Sequence, residues 1–249
     1  MNVVADLLAE RTGLWFGAHN IDLLERGLGQ LGAALGLPLD VLCERLRTDD
    51  PKSALWHKLV EVVTVGETYL FRHPEQLTLL GQRLVPERLA KGQRLLRAWS
   101  AGCATGEEAY SLAMVLHRAA PSCELSVLGT DISTQALAVA ARGKYGPNSQ
   151  REPIPAAMRS LLLSHSEGSV EVIPQIRALV ELRAVNLVDE EQLATVPGGF
   201  DFIFCRNVLI YFTKDQGQRV LKALRDRLAP GGVLEIGRAS CRERVSSPV

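Results

Sequence analysis

Two periodicities divide the chain. Up to about residue 75, apolar positions recur at mixed three- and four-residue steps, and Ile21, Leu23, Leu24, Leu28, Leu31, Ala34 and Leu35 fall on one helical face. Leu37-Pro38 interrupts that run, 39–46 resumes it, and Thr48-Asp-Asp-Pro51 reads as a turn leading to a short helix over 53–63. Pro74 opens a further helix through 84. From about residue 94 the pattern changes. Strands are predicted over 95–100, 125–129 and 200–205, and helices over 107–119, 133–142 and 215–228, with Ser133 as an N-cap and Pro230-Gly-Gly232 as a turn before another strand. This alternation predicts an α/β fold with a parallel, doubly wound sheet. Residues 146–183 break the alternation. Tyr145-Gly-Pro-Asn148 reads as a turn, 155–163 as helical, and 170–173 and 176–185 as strands paired around Pro174-Gln175, together a small antiparallel insertion. The expected organisation is a helical domain over 1–75 and an α/β domain over 76–234. After Leu234 the pattern collapses, and 235–249 resemble the translation of a sequencing-library adaptor. That segment is expected to be a non-native tail standing where the natural C-terminus and the last strands would follow.

Composition narrows the class. Hydrophobic residues make up 47% of the 249 and charged residues 22%, enough for a sizeable core. Twenty-eight basic and 28 acidic side chains balance, so bulk charge gives no reason to expect a nucleic-acid partner. No stretch has the length and apolarity of a membrane span, and the N-terminus lacks a basic start before an apolar run. Five cysteines without a C-x-x-C pair read as reduced thiols in a cytoplasm, and five histidines show no metal-ligand spacing.

The candidate chemistry begins at Trp99-Ser-Ala-Gly-Cys-Ala-Thr-Gly-Glu-Glu-Ala-Tyr-Ser111, an apolar run that ends in a glycine-bearing loop and a helix start. Gly102 and Gly106 let backbone approach a ligand, and the helix start offers free N–H groups. Asp131, at the tip of the next strand, can accept both ribose hydroxyls. Glu107 and Glu108 disfavour a diphosphate there and favour a cofactor with a cationic amino-acid end, which points to S-adenosylmethionine (SAM). In Phe204-Cys-Arg-Asn-Val-Leu-Ile-Tyr-Phe212 a buried strand runs into Arg206 and Asn207, which either face a site or cap the next helix. Thr68 and Arg72 are four apart and would share a helical face, with Arg72 able to reach a carboxylate. Asn186 either reads an adenine edge or merely stops a strand.

Five segments in order, Glu67-Thr-Tyr-Leu-Phe-Arg72, 99–111, Gly129-Thr-Asp-Ile-Ser133, Val185-Asn-Leu187 and 204–212, make the chain resemble the CheR family, SAM-dependent methyltransferases that modify glutamates of chemoreceptors. The resemblance implies a Rossmann-like class I methyltransferase sheet with an N-terminal helical lobe, and SAM as cofactor with S-adenosylhomocysteine as product. It implies cofactor-binding roles for Gly66, Thr68, Arg72, Glu107 or Glu108, Asp131, Asn186, Leu187, Arg206 and Asn207. Gly66 stands where some members carry asparagine. Arg72 and Tyr211 would lie nearest the methyl and the incoming carboxylate and form the catalytic pair. The small β insertion is implicated in receptor docking. The implied partner is the cytoplasmic domain of a methyl-accepting chemoreceptor, met by a monomer, with no metal, nucleic acid or membrane insertion. A carboxylate acceptor is already anionic at neutral pH, so no general base is required. Two other functions fit less of the sequence. One is N-methylation of nucleic acid or protein, since Asn207 followed by Tyr211 is faintly similar to an Asn-Pro-Pro-Tyr motif without its prolines. The other is a non-catalytic SAM-binding scaffold.

Overall fold

The structure is a computed structural model that describes residues 2–17, 20–64 and 66–237. Four helices come first: α1 (Asn2–Thr12), α2 (Ile21–Leu35), α3 (Leu39–Thr48) and α4 (Ala54–Val63). The apolar stripe of α2 becomes their common core, in which Leu24, Leu28 and Leu31 are buried with Leu42, Leu46, Trp56 and Leu59. Gly36, at φ 63°, ends α2 in the left-handed conformation that glycine adopts without strain. Ser53 starts α4 by accepting the Trp56 N–H, and the Trp56 indole donates to Leu46 O at 3.1 Å, tying α4 to α3.

Residues 66–73 form turns instead of the helix that would have placed Thr68 and Arg72 on one face. Phe71 and His73 both have φ of 57°, which a helix does not admit, and the N–H groups of Leu70 and Phe71 are taken by Ser149 O and Ser111 Oγ. The next helical stretch runs through α5 (Pro74–Leu79), a π turn over Leu80–Leu84 and α6 (Val85–Ala90), beyond the stop expected at 84. Pro86, lacking an N–H, falls just after the π turn, where the hydrogen-bond ladder is already relaxed.

The α/β body contains β1 (Leu95–Ala101), α7 (Glu107–Ala119), β2 (Glu124–Asp131) and α8 (Thr134–Arg142). After an insertion come β6 (Val180–Ala184), α10 (Glu190–Ala194), β7 (Phe200–Phe204), α11 (Lys214–Arg225) and β8 (Leu228–Glu235). Within the insertion lie β3 (Lys144–Tyr145), β4 (Leu162–Ser164), β5 (Val170–Val172) and α9 (Pro174–Arg177). The main sheet has the order β6-β2-β1-β7-β8 and every pairing is parallel. Both faces are covered. Leu96 and Ala98 of β1 pack with α7, and Trp99 and Ala101 pack toward Val220 and Leu224 of α11.

The insertion corrects one reading. Val170–Val172 pairs with β3 and β4, in the order β3-β5-β4, and not with the segment after Pro174. Pro174–Arg177 is helical, and the following strand leaves the insertion to form the edge of the main sheet, parallel to β2 with Asp131 opposite Ala184. Hydrophobic period marks a strand but not its partner. Here Gly129 admits the neighbour closely, since a Cβ at that position would lie 2.9 Å from Leu182 Cδ2. The stretch read as helical over 155–163 is a 3₁₀ segment, Ala156–Leu161, that passes into β4.

Strand β8 continues through Glu235, which pairs with Phe204. Of the segment expected to be a non-native tail, 238–249 lie outside the described residues. Among the described residues no helix is long and apolar enough to cross a membrane.

Candidate active site

Because the main sheet is parallel, the carboxyl ends of β1, β2, β6 and β7 open on one edge. The chain runs outward from β1 to β2 and β6, then returns to β7 on the other side of β1. The crevice between β1 and β7 is therefore the topological switch point, where α/β folds build their sites. A cavity of about 350 Å³ lies there, closed on its far side by the helical lobe through Trp15, Glu61 and Thr64. Gly66, Thr68, Arg72, Glu108, Asp131, Asn186, Leu187, Arg206, Asn207 and Tyr211 all line it, and Glu107 does not.

The glycine loop takes the backbone conformations its spacing predicts, but of its two glycines only Gly102 lines the cavity. A Cβ at Gly106 would lie 2.7 Å from Ala140 Cβ, so that glycine admits α8 rather than a ligand. Gly102 (φ 82°) and Gly106 (φ 93°) take left-handed conformations, and Ala104 follows at φ 47°. The Gly102 and Cys103 N–H groups both donate to Thr130 O at 2.8 Å, fastening the loop to the end of β2. This fold of the loop presents the Ala104 N–H to Asp131 Oδ2 at 2.8 Å, while the Ser133 N–H donates to Oδ1 at 2.9 Å. Each carboxylate oxygen of Asp131 keeps further acceptor capacity toward the cavity. Burial raises the Asp131 carboxyl above its ordinary range, the backbone N–H groups of Ser133, Ala104 and Ile132 oppose that, and the negative charge of Glu61 adds to it.

Successive glutamates at a helix start point different ways. Glu107 turns from the cavity and accepts from Thr105 Oγ1 at 2.6 Å and Ser149 Oγ at 2.7 Å, which secures the insertion. Glu108 faces the cavity and is held by Ser100 Oγ and Arg206 Nε, both at 2.6 Å. The Arg206 side chain is 1% exposed, and its Nη1 also donates to Arg72 O and Gln76 Oε1, so this ion pair forms the cavity floor. Arg72 sits above it with its guanidinium 5.4 Å from the Tyr69 ring centroid and Nη1 donating to Glu67 O at 2.9 Å. Arg72 Nε and Arg206 Nη2 are buried without a hydrogen-bond partner among the described residues. Both arginines line the cavity, and an anionic ligand group beside them would give these N–H groups an acceptor.

Asn186 resolves in an unexpected direction. Its amide nitrogen donates to Arg11 O at 2.7 Å and its side-chain oxygen accepts the Val188 N–H at 3.2 Å, so the side chain pins the end of α1 and shapes the wall beside Leu187. Arg206 and Asn207 do not cap the next helix, because Thr213 does so in a capping box with Gln216. Asn207 has φ of 58° at the cavity wall. Tyr211 ends a 3₁₀ turn (Leu209–Tyr211), and its hydroxyl is raised chiefly by burial and lowered by the nearby charge of Arg72. The buried thiols of Cys103 and Cys205 are likewise pushed up by burial and stay protonated.

Sequence reasoning missed three parts of this site. Glu61 of the lobe meets the turn after β2, Gln76 bridges Arg206 to Glu235, and Trp15 joins the lobe to the cavity wall through its backbone N–H, which donates to Tyr211 O at 2.7 Å. Trp15 and Phe16, two aromatics between helices, carried a signal. Glu61 and Gln76 carried none.

The description "CheR methyltransferase, SAM binding domain" matches residues 66–246. Chemotaxis protein methyltransferase 1 of Pseudomonas aeruginosa is 32% identical over 92% of this chain and 85% of its own length. The chemotaxis protein methyltransferase of Klebsiella aerogenes is 32% identical over 98% of this chain and 83% of its own. A protein of Pseudomonas putida named "Probable biofilm formation methyltransferase WspC" is 41% identical over 93% of this chain, which spans 54% of that protein's length. With its parallel sheet, switch-point cavity and ordered motifs, the chain belongs to the CheR family of SAM-dependent methyltransferases.

Proposed function

We propose that this chain transfers a methyl group from SAM to glutamate side-chain carboxylates on the cytoplasmic domain of a methyl-accepting chemoreceptor, giving methyl esters. The observation that carries this reading is the make-up of the cavity wall. Arg72 and Tyr211 stand in the same cavity as Asp131, and no histidine, cysteine or lysine lines it among the described residues. A cavity without a histidine, cysteine or lysine base, in which Glu108 is held by Ser100 and Arg206 and Asp131 by backbone N–H groups, suits an acceptor that is already an anion at neutral pH.

The residues present fit the cofactor. Asp131 has acceptor capacity for ribose hydroxyls, Glu108 for an ammonium group, and the free N–H groups of Arg72 and Arg206 for a carboxylate. Leu187 and the Asn186 backbone supply a wall for an adenine. When bound, SAM supplies an electrophilic methyl on a sulfonium that leaves as a neutral thioether while the acceptor oxygen takes the methyl. The protein's share is alignment and partial desolvation. Arg72 orients the incoming carboxylate, and Tyr211, kept protonated, offers it an O–H donor. Neither group removes a proton.

Calorimetric titration with SAM and S-adenosylhomocysteine, followed by labelled-methyl transfer to a receptor cytoplasmic fragment, tests the reading. One-to-one binding and a base-labile ester are expected. A folded chain that binds neither nucleoside overturns it, and methylation of DNA or of an amine favours the N-methyltransferase alternative.

A pH dependence follows from Asp131. Ribose hydroxyls donate to the ionised carboxylate, so affinity for S-adenosylhomocysteine is expected to be full above the raised pKa and to fall as pH drops through it. The loss should begin at higher pH than the ordinary aspartate value of 3.8 would give. The stability contribution of the ligand-free protein has the opposite sign. The folded state holds this proton more tightly than the unfolded chain, so the contribution of Asp131 falls as pH rises from 3.8 through the raised value. Titrations over a pH series with unfolding curves on the same samples separate the two.

A further inference from the structure

We infer that Glu61 of the helical lobe is a positioning residue for the cofactor site, holding the turn that carries Asp131. The inference rests on the cofactor reading above.

Glu61 lies in the last turn of α4, some seventy residues before the turn it meets, and it lines the cavity. Its Oε2 accepts from Ser133 Oγ. Its Oε1 accepts from Thr134 Oγ1 at 3.0 Å and from the Gln135 N–H at 3.1 Å. Ser133 Oγ is also the N-cap acceptor for the Ala136 N–H at 2.9 Å. Its single proton is therefore free to go to Glu61. The Ser133 N–H completes the chain by donating to Asp131 Oδ1. Three donors from the N-cap and first two residues of α8 thus converge on a carboxylate from another lobe, and one of them, Ser133, is the residue whose N–H also holds Asp131. The acid suits this place electrostatically, because the N-terminus of α8 presents unpaired N–H groups and positive potential.

The arrangement does two things at once. It fixes the Asp131–Ser133 turn so that both Asp131 oxygens stay engaged by backbone N–H groups and aimed at the cavity. It also sets a second negative charge near Asp131. The groups facing Asp131 are Glu61 from α4, the backbone N–H groups of Ala104, Ile132 and Ser133, and the neutral Cys103 thiol of the glycine loop. The Glu61 charge makes Asp131 harder to ionise, so it should move the pH midpoint of cofactor binding upward.

The test is titration of the full chain and of Glu61→Gln with S-adenosylhomocysteine over a pH series, with thermal unfolding of each ligand-free protein. Glu61→Gln is expected to weaken binding about tenfold at neutral pH, because the amide accepts fewer of the three donors. It is also expected to move the acid midpoint of affinity to lower pH. A clamp that merely holds the lobes together would lower the melting temperature without moving that midpoint. Unchanged affinity, or weaker binding with an unmoved midpoint, overturns the inference. If Glu61→Gln does not fold, Thr134→Val removes one donor at an exposed position and leaves the helix cap. It is expected to weaken binding about threefold, and equal affinity overturns the inference. A wild-type chain that fails to bind the nucleoside overturns the cofactor reading and this inference with it, whereas a wild type that binds beside an indifferent variant defeats this inference alone.

Discussion

Asp131→Ala is expected to raise the dissociation constants for SAM and S-adenosylhomocysteine by two to three orders of magnitude. On the ribose role proposed for Asp131, two hydrogen bonds from hydroxyls to a carboxylate are lost, each worth about 1.5–2 kcal/mol, the lower part of the range for a charged acceptor, so about 3–4 kcal/mol in all. A second effect adds to this. The carboxylate accepts the Ala104 N–H at 2.8 Å and the Ser133 N–H at 2.9 Å, and alanine leaves both without that partner. The glycine loop and the turn after β2 then lose the group that joins them. Asp131→Asn separates the contributions, because the amide keeps the shape but offers one acceptor atom and puts an NH₂ opposite the other backbone N–H. It should fall between wild type and alanine. Titration calorimetry on folded variants is the measurement, and an unchanged affinity in Asp131→Ala would sink the ribose assignment.

Arg72→Ala is expected to lower turnover about a hundredfold while cofactor affinity falls less than tenfold, the range seen when one preorganised donor is removed from a reacting centre. The backbone at this position is over-determined. Phe71 and His73 on either side hold left-handed conformations. The Phe71 N–H is anchored on Ser111 Oγ, and the Arg72 carbonyl accepts from Arg206. Such strain persists only where the surroundings enforce it, so removing the side chain should leave the fold and the Arg206–Glu108 floor in place. What disappears is the guanidinium poised by Tyr69, including an Nε–H with no partner among the described residues. If Arg72 mainly orients the acceptor carboxylate, single-turnover rates drop and the dissociation constant for S-adenosylhomocysteine moves little. Equal losses in both would make it a cofactor anchor only. Arg72→Lys should recover part of the charge but not the planar fork, and so part of the rate.

Residues spaced along one strand–loop–helix unit were readable because their geometry is local. Gly102, Gly106 and Asp131 follow from where a parallel strand ends, and Ser133 announced itself as an N-cap. The orientation of paired residues was less readable. Glu107 and Glu108 are adjacent in sequence, yet one serves the insertion and the other the cavity, because 100° of helix separates them and only packed neighbours say which face is inward. Asn186 shows the same limit, its amide being committed to Arg11 O across 175 residues of chain.

The sequence by itself determined the class of fold, the cofactor and the ordered motifs, since these are written in period, turn chemistry and short-range spacing. The tertiary structure alone decided which strand pairs with which, sending Val180–Ala184 to the main sheet and leaving Val170–Val172 to the insertion. It alone brought Glu61 and Trp15 to the cavity, set Gln76 behind Arg206, and turned 66–73 out of a helix. The physical reason is shared by all of these. Each rests on a hydrogen bond or packing contact between segments tens to hundreds of residues apart, and such a contact leaves no periodic trace in either segment.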